Sequence, residues 1–105
     1  HMLHETRTDD GHRKFGLASA SRLEGPWRDR EPDYATSENC SWPGETVPWT
    51  GNVSHGEFLR TGCDQRLEYD PANTRLLIQG RQGSEMGVPY RSLTWSLGLL
   101  SPVFR

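Results

Sequence analysis

Apolar residues along this chain recur every second position or in short runs, and nowhere with the 3.6-residue spacing of a helix. The pattern therefore predicts strands. Leu3 to Thr8, Asp9-Asp10-Gly11 and His12 to Ser21 read as a β-hairpin, because Asp-Gly supplies the positive φ that a tight turn requires. In its second strand Phe15, Leu17 and Ser19 fall on one face, since strand side chains alternate. Glu24-Gly25-Pro26-Trp27 is a turn that delivers Trp27 onto the sheet. From about Arg28 to Asn52 no period is sustained and three prolines intervene, which predicts a long irregular loop. Strands are predicted over Val53 to Thr61, Arg66 to Asp70, Arg75 to Gln79 and Leu93 to Leu100. Asp70-Pro71-Ala72-Asn73 makes a turn between the second and third of these, with Pro71 pre-setting φ and Asn73 tolerating a left-handed backbone. Gln82 to Gly87 is a glycine-rich surface loop. The reading is all-β, with six or seven short antiparallel strands.

Composition sharpens this picture. With 32% hydrophobic residues and a mean hydropathy of −0.81, the 105-residue chain is poorly supplied for a self-sufficient core. Four tryptophans make up part of the deficit, each able to bury about 200 Å². The net charge of −2 gives no general attraction to nucleic acid or membranes, and no apolar run is long enough to span a bilayer. Cys40 and Cys63, 23 positions apart, either close a disulfide worth about 3 kcal/mol in the chain-entropy model or stay free thiols. His1-Met2 has the look of a cloning remnant, leaving residues 3–105 as one domain.

A set of landmarks carries a resemblance. Ser54-His55-Gly56-Glu57, Arg60-Thr61, Asp64-Gln65, Asp70-Pro71, Asn73, Leu76-Leu77, Gln79-Gly80-Arg81, Pro89-Tyr90-Arg91 and Gly98-Leu99-Leu100 come in this order. With Asp10-Gly11-His12-Arg13 and Gly25-Pro26-Trp27 upstream, the sequence resembles the C-terminal portion of the arabinofuranosidases of glycoside hydrolase family 62. The resemblance implies antiparallel β-propeller blades, about two per chain, cut from a five-bladed ring. It implies arabinose-decorated plant polysaccharide (arabinoxylan) as ligand, an extracellular setting and a calcium ion at the propeller axis. Two departures stand out: Ala72 replaces a cysteine common after Asp-Pro, and Ser92 to Leu97 intervenes where the family runs on with Pro-Gly.

The resemblance also assigns residues. His55 corresponds to a histidine that faces the axis near the calcium, as an indirect contact; the plainer reading is an imidazole satisfied at a strand edge. Tyr90 and Arg91 correspond to the substrate cleft, where a phenol offers a flat face and a guanidinium a planar fork. The family's acid, base and tuning carboxylates lie in segments preceding Leu3, so none maps onto this chain. Glu57 shares the His55 face and is the weak candidate for a proton-transfer role, against pairing with Arg60 or Arg81. Trp42 and Trp49, in the long loop, are candidates for a sugar platform or an interface plug. His4, Glu5, Asp9, Asp10 and His12 form a second polar cluster, read as a solvated turn rather than a metal site.

Two kinds of function follow. One is a carbohydrate-active protein related to arabinofuranosidases; the other is a non-catalytic sugar-binding or self-assembling propeller module. Because propellers use ~4–8 blades, the chain is expected to form a homo-oligomer, a dimer or trimer arranged head-to-tail.

Overall fold

The structure is a computed structural model that describes residues 1–42, 44, 48–81 and 87–102. Six strands are formed among these residues: β1 (Met2–Arg7), β2 (Arg13–Ser19), β3 (Arg28–Ala35), β4 (Ser54–Phe58), β5 (Leu76–Gly80) and β6 (Ser96–Leu100). They make two antiparallel three-stranded sheets, ordered β1-β2-β3 and β4-β5-β6. The described residues hold no α-helix, only short 3₁₀ turns at Pro71–Asn73 and Tyr90–Ser92. Among the described residues the architecture is thus all-β and antiparallel, three strands to a sheet.

The first hairpin forms as its turn chemistry dictates, with Gly11 at φ 88°. Beyond it, β2 pairs with β1 in unbroken register, so Phe15, Leu17 and Ser19 keep the shared face expected of alternate positions. Phe15 is buried there and Leu17 and Ser19 half-buried, while Gly16 and Ala18 are buried on the opposite face. The register irregularities between β2 and β3 place the extra residues on β3.

Two larger expectations also change. The segment read as irregular from Arg28 begins with β3, an edge strand of eight residues, five of them charged. From Arg28 to Asp33 this edge strand is exposed on both faces and needs no apolar alternation, and Pro32 is tolerated at an edge, where a missing N–H can face solvent. Conversely, Arg66 to Asp70 forms no strand. Leu67 takes φ 57°, incompatible with extended pairing, and Thr61 links the arms of this loop by donating its N–H (2.8 Å) and its hydroxyl (3.2 Å) to the Glu68 carbonyl. The Asp70–Asn73 turn is a 3₁₀ turn capped by Asp70, whose carboxylate accepts from Ala72 N–H at 2.9 Å, and Asn73 is not left-handed. The strands expected from Val53 and from Leu93 are shorter than expected, and most of the glycine-rich loop, residues 82–86, lies outside the described residues.

The core sits where the sheets meet. Phe15 and Ala35 come from the first sheet, Leu76 and Ile78 from the second, and Val53 from the segment entering β4. Leu3, Tyr34, Phe58 and Leu100 pack around them. Gly56 lets the Phe15 ring pass, since a Cβ there would meet Phe15 Cε2 at 2.8 Å and the Leu77 carbonyl at 3.1 Å. A buried polar stitch joins the same region. Thr50 Oγ1 accepts from Asn52 N–H (3.0 Å) and Arg81 N–H (2.9 Å) and donates to the Arg81 carbonyl (2.7 Å). Asn52 Oδ1 accepts from Arg13 N–H (3.1 Å), and Val53 N–H donates to the Arg13 carbonyl (2.9 Å). These bonds dock the start of β4 against β2, and so fix where His55 emerges.

Candidate functional site

His55 is the second residue of β4 and sits at φ 40°, a left-handed backbone that a side chain with Cβ adopts at a cost. The register irregularity between Ser54 and Glu57 accommodates it. What holds it is Glu5, from β1 of the other sheet. Glu5 Oε2 accepts from the His55 N–H (2.9 Å) and the Ser54 hydroxyl (2.7 Å), while Oε1 accepts from Arg13 Nη1 (2.7 Å). Ser54 is fully buried. The imidazole points outward, its side chain 62% exposed, with Nδ1 3.3 Å from Ser54 Oγ and 3.9 Å from Glu5 Oε2. Arg13 is in turn covered by the Trp95 ring, 5.4 Å from its centroid.

The electrostatics follow from this geometry. Partial burial of Glu5 disfavours its charge, but the His55 N–H, the Ser54 hydroxyl and Arg13 outweigh it and hold the carboxyl below its ordinary value. Glu5 is therefore ionised and engaged by three donors. It was the residue hardest to single out in the sequence, grouped with His4, Asp9, Asp10 and His12. The structure divides that group. Asp10 is bonded to Thr8 and lies 3.6 Å from His12 in the solvated turn, whereas Glu5 crosses to the other sheet. Among the described residues, no group of three or more His, Cys, Asp or Glu side chains is placed to hold a metal ion.

The other assigned residues are distributed around the molecule. Glu57 shares the exposed side of β4 with His55 but is paired with Arg60 Nη2 at 2.7 Å. Tyr90 and Arg91 stand on the 3₁₀ turn before β6, with Tyr90 67% exposed, while the polar partners of His55 are Glu5 and Ser54. Trp42 and Trp49 meet edge-to-face with centroids 5.9 Å apart. Trp49 covers Gly80 and Gly98, where added Cβ atoms would lie 2.6 and 3.0 Å from its ring, so its ring packs on the second sheet. Together with Ile78 and Leu100 the two tryptophans line a small cavity of about 230 Å³. Trp27, in the turn after β2, donates its indole N–H to the Leu23 carbonyl (3.1 Å) and faces an inter-sheet groove of about 690 Å³. Cys40 and Cys63 are both free thiols.

Comparison with known proteins agrees with the landmarks. The family model for glycosyl hydrolase family 62 matches residues 1–101. Alpha-L-arabinofuranosidase C of Cellvibrio japonicus is 37% identical over 94 residues, which are 86% of this chain and 14% of that protein. The catalytic domain of a family 62 α-L-arabinofuranosidase from Coprinopsis cinerea superposes with a TM-score of 0.82 at 41% identity, covering 94% of this chain and 32% of that one. The α-L-arabinofuranosidase from Podospora anserina, solved with cellotriose, gives 0.82 at 36% identity over 94% of this chain and 32% of its own. A family 62 hydrolase solved with xylotriose gives 0.80 at 33% identity, over 95% and 31%. The chain thus spans about a third of the solved relatives and less of the curated one. On a match running from residue 1 to residue 101, and with the two blades superposing on solved members, the chain belongs to glycosyl hydrolase family 62.

Proposed function

We propose that this chain forms the His55 wall of a site that recognises arabinose-decorated plant polysaccharide, arabinoxylan, in a carbohydrate-active propeller. One observation carries the reading: a charged carboxylate from one sheet is spent on holding a non-glycine residue of the other in a left-handed backbone, with its imidazole turned to solvent. Strain of this kind costs roughly 1–3 kcal/mol and persists where the surroundings enforce it, commonly at functional sites. The related arabinofuranosidases, and the hydrolase bound to xylotriose, point to the class of sugar. His55 offers a ring nitrogen to a hydroxyl, Tyr90 a flat face, and Arg91 a planar fork of donors. An encounter with a polymer of this size would take place outside the cell.

A calcium ion at the axis would supply a fixed positive charge there. This chain would meet it through His55 holding one of its waters, because calcium takes six to eight oxygens and both oxygens of Glu5 are already engaged.

A second reading, non-catalytic sugar binding, is favoured by the state of the two carboxylates nearest His55. Glu5 accepts from three donors and Glu57 from Arg60, so neither is poised for proton transfer. Titration with arabinoxylan oligosaccharides, followed by tryptophan fluorescence and backbone amide shifts, tests sugar recognition. Saturation at millimolar sugar is expected, with affinity about 5–10-fold weaker in His55→Ala, the worth of one hydrogen bond. Unchanged spectra of the wild type, or equal affinity in His55→Ala and Tyr90→Ala, would overturn it.

A further inference from the structure

Arg13 carries its charge in a nearly closed place, with its side chain 12% exposed. Its backbone is pinned on both sides, the N–H donating to Asn52 Oδ1 (3.1 Å) and the carbonyl accepting from Val53 N–H (2.9 Å). The guanidinium therefore starts from a fixed root beside the entry to β4. Across the β1–β2 ladder Arg13 faces Arg7 directly and Glu5 on the diagonal, all on one face of the sheet. Arg7 is turned to the Gly11 carbonyl (2.7 Å), and Arg13 Nη1 reaches Glu5 Oε1 (2.7 Å). Over the same guanidinium lies the Trp95 ring, its centroid 5.4 Å from Arg13 Cζ. Trp95 is half-buried and stands between the Tyr90–Ser92 turn and Ser96, which pairs with Gly80 at the start of β6. A residue of the second sheet thus closes over a charge of the first.

We propose that Trp95 is a positioning residue for His55, acting through Arg13 and Glu5. The negative face of the ring attracts the guanidinium, and its bulk keeps water from it. With water excluded, the Arg13–Glu5 bond is stronger and the carboxylate has one preferred orientation. In that orientation Oε1 is engaged by Arg13, which turns Oε2 to the Ser54 hydroxyl and the His55 N–H. His55, at φ 40°, depends on the last of these bonds to stay left-handed. The order of contact is Trp95 to Arg13, Arg13 to Glu5, Glu5 to His55. Because Trp95 closely follows Tyr90 and Arg91 in the chain, the same series sets that turn and His55 in one frame, so that one sugar can meet both. That consequence rests on the sugar-binding reading; the positioning itself does not.

Amide hydrogen exchange of the full chain, read by NMR, is the test. Trp95→Leu keeps apolar bulk and removes the aromatic face, so the His55 amide should exchange about 3–10-fold faster, the worth of one cation–π contact. The amides of β5 should keep their rates, which a general loss of stability would not allow. Trp95→Phe restores a ring and should return the His55 amide to within about twofold of wild type. Arg13→Lys/Trp95→Leu should be no faster at His55 than Arg13→Lys alone, because the ring acts through the guanidinium. Unchanged exchange at His55 in Trp95→Leu, equal acceleration in β5, no rescue by phenylalanine, or additive effects in the double variant overturns the proposal. One measurement needs no variant: the Arg13 Nε–H signal of the wild type should be shifted upfield by the ring, and a signal at its ordinary position overturns the proposal too. Titration with arabinoxylan oligosaccharides separates the two readings. Affinity about 3–10-fold weaker in Trp95→Leu supports both. A wild type that fails to saturate counts against sugar recognition, and the exchange rates then decide the positioning. Equal affinity in Trp95→Leu beside a weakened His55→Ala overturns the positioning alone.

Discussion

Ile78→Ala is expected to lose most of the stability of this chain. Ile78 is completely buried at the middle of β5, and with Phe15, Ala35, Val53 and Leu76 it makes up the compact core among the described residues. Its side chain lies against Gly98 on the neighbouring strand, so truncation opens space that glycine cannot fill. Replacing a buried isoleucine by alanine costs about 2–5 kcal/mol through lost burial and the cavity left behind. A chain of this length has a total stability on the order of 5–15 kcal/mol, and a small core puts it toward the low end. With a urea m-value of about 1–2 kcal/mol/M, the midpoint should fall by roughly 2 M. Leu77→Ala, one residue along on the open face, is the control and should cost under about 1 kcal/mol. Tryptophan fluorescence in urea reads both. Equal midpoints for the two variants would mean that the core does not lie between the sheets.

The hairpin at Gly11, β4, β5 and β6 were legible in the sequence because each couples an apolar run or alternation to nearby turn residues. β3 was illegible for a physical reason. It pairs with β2 at an edge, and from Arg28 to Asp33 its side chains meet water on both faces, so burial writes no period into it before Tyr34 and Ala35 reach the core. Arg66 to Asp70 misled in the opposite sense: Leu67 and Tyr69 alternate like a strand, yet Tyr69 alternates in order to stack on Phe58 (centroids 4.4 Å apart) while Leu67 is left-handed and exposed. At the candidate site, the Ser-His-Gly-Glu landmark made His55 visible. Glu5 was not, because its partners lie 49 and 50 positions away and only the docking of two sheets brings them together. A local polar cluster looks the same in sequence whether its members face solvent, as Asp10 does, or clasp another sheet.

That clasp sets the second large effect. Glu5→Ala removes the acceptor for the Ser54 hydroxyl, the His55 amide and Arg13 at once. Ser54 is fully buried and cannot turn to water, so its hydroxyl exchanges a 2.7 Å bond to a charged acceptor for the longer, 3.3 Å contact with His55 Nδ1 at best. Losing a buried bond of this kind costs about 1–3 kcal/mol; the Arg13 pair, with the Glu5 side chain 30% exposed, adds little because solvent screens it. The expected loss is about 2–3 kcal/mol, with Glu5→Gln milder because its amide oxygen still accepts. The pH dependence has a definite sign. The folded carboxyl is held below its ordinary value of 4.5, so its contribution is fully present above that pH and is lost as pH falls through the lower folded value. The stability gap between wild type and Glu5→Gln should therefore be widest near neutrality and close on acidification below 4.5. Urea midpoints at neutral and acidic pH measure this directly. The three-bond amide coupling of His55 supplies a local readout, reporting the left-handed backbone in wild type and relaxing toward extended values in Glu5→Ala. A gap that stays constant with pH, or a His55 coupling unchanged by Glu5→Ala, would show that the carboxylate does not hold the histidine in place.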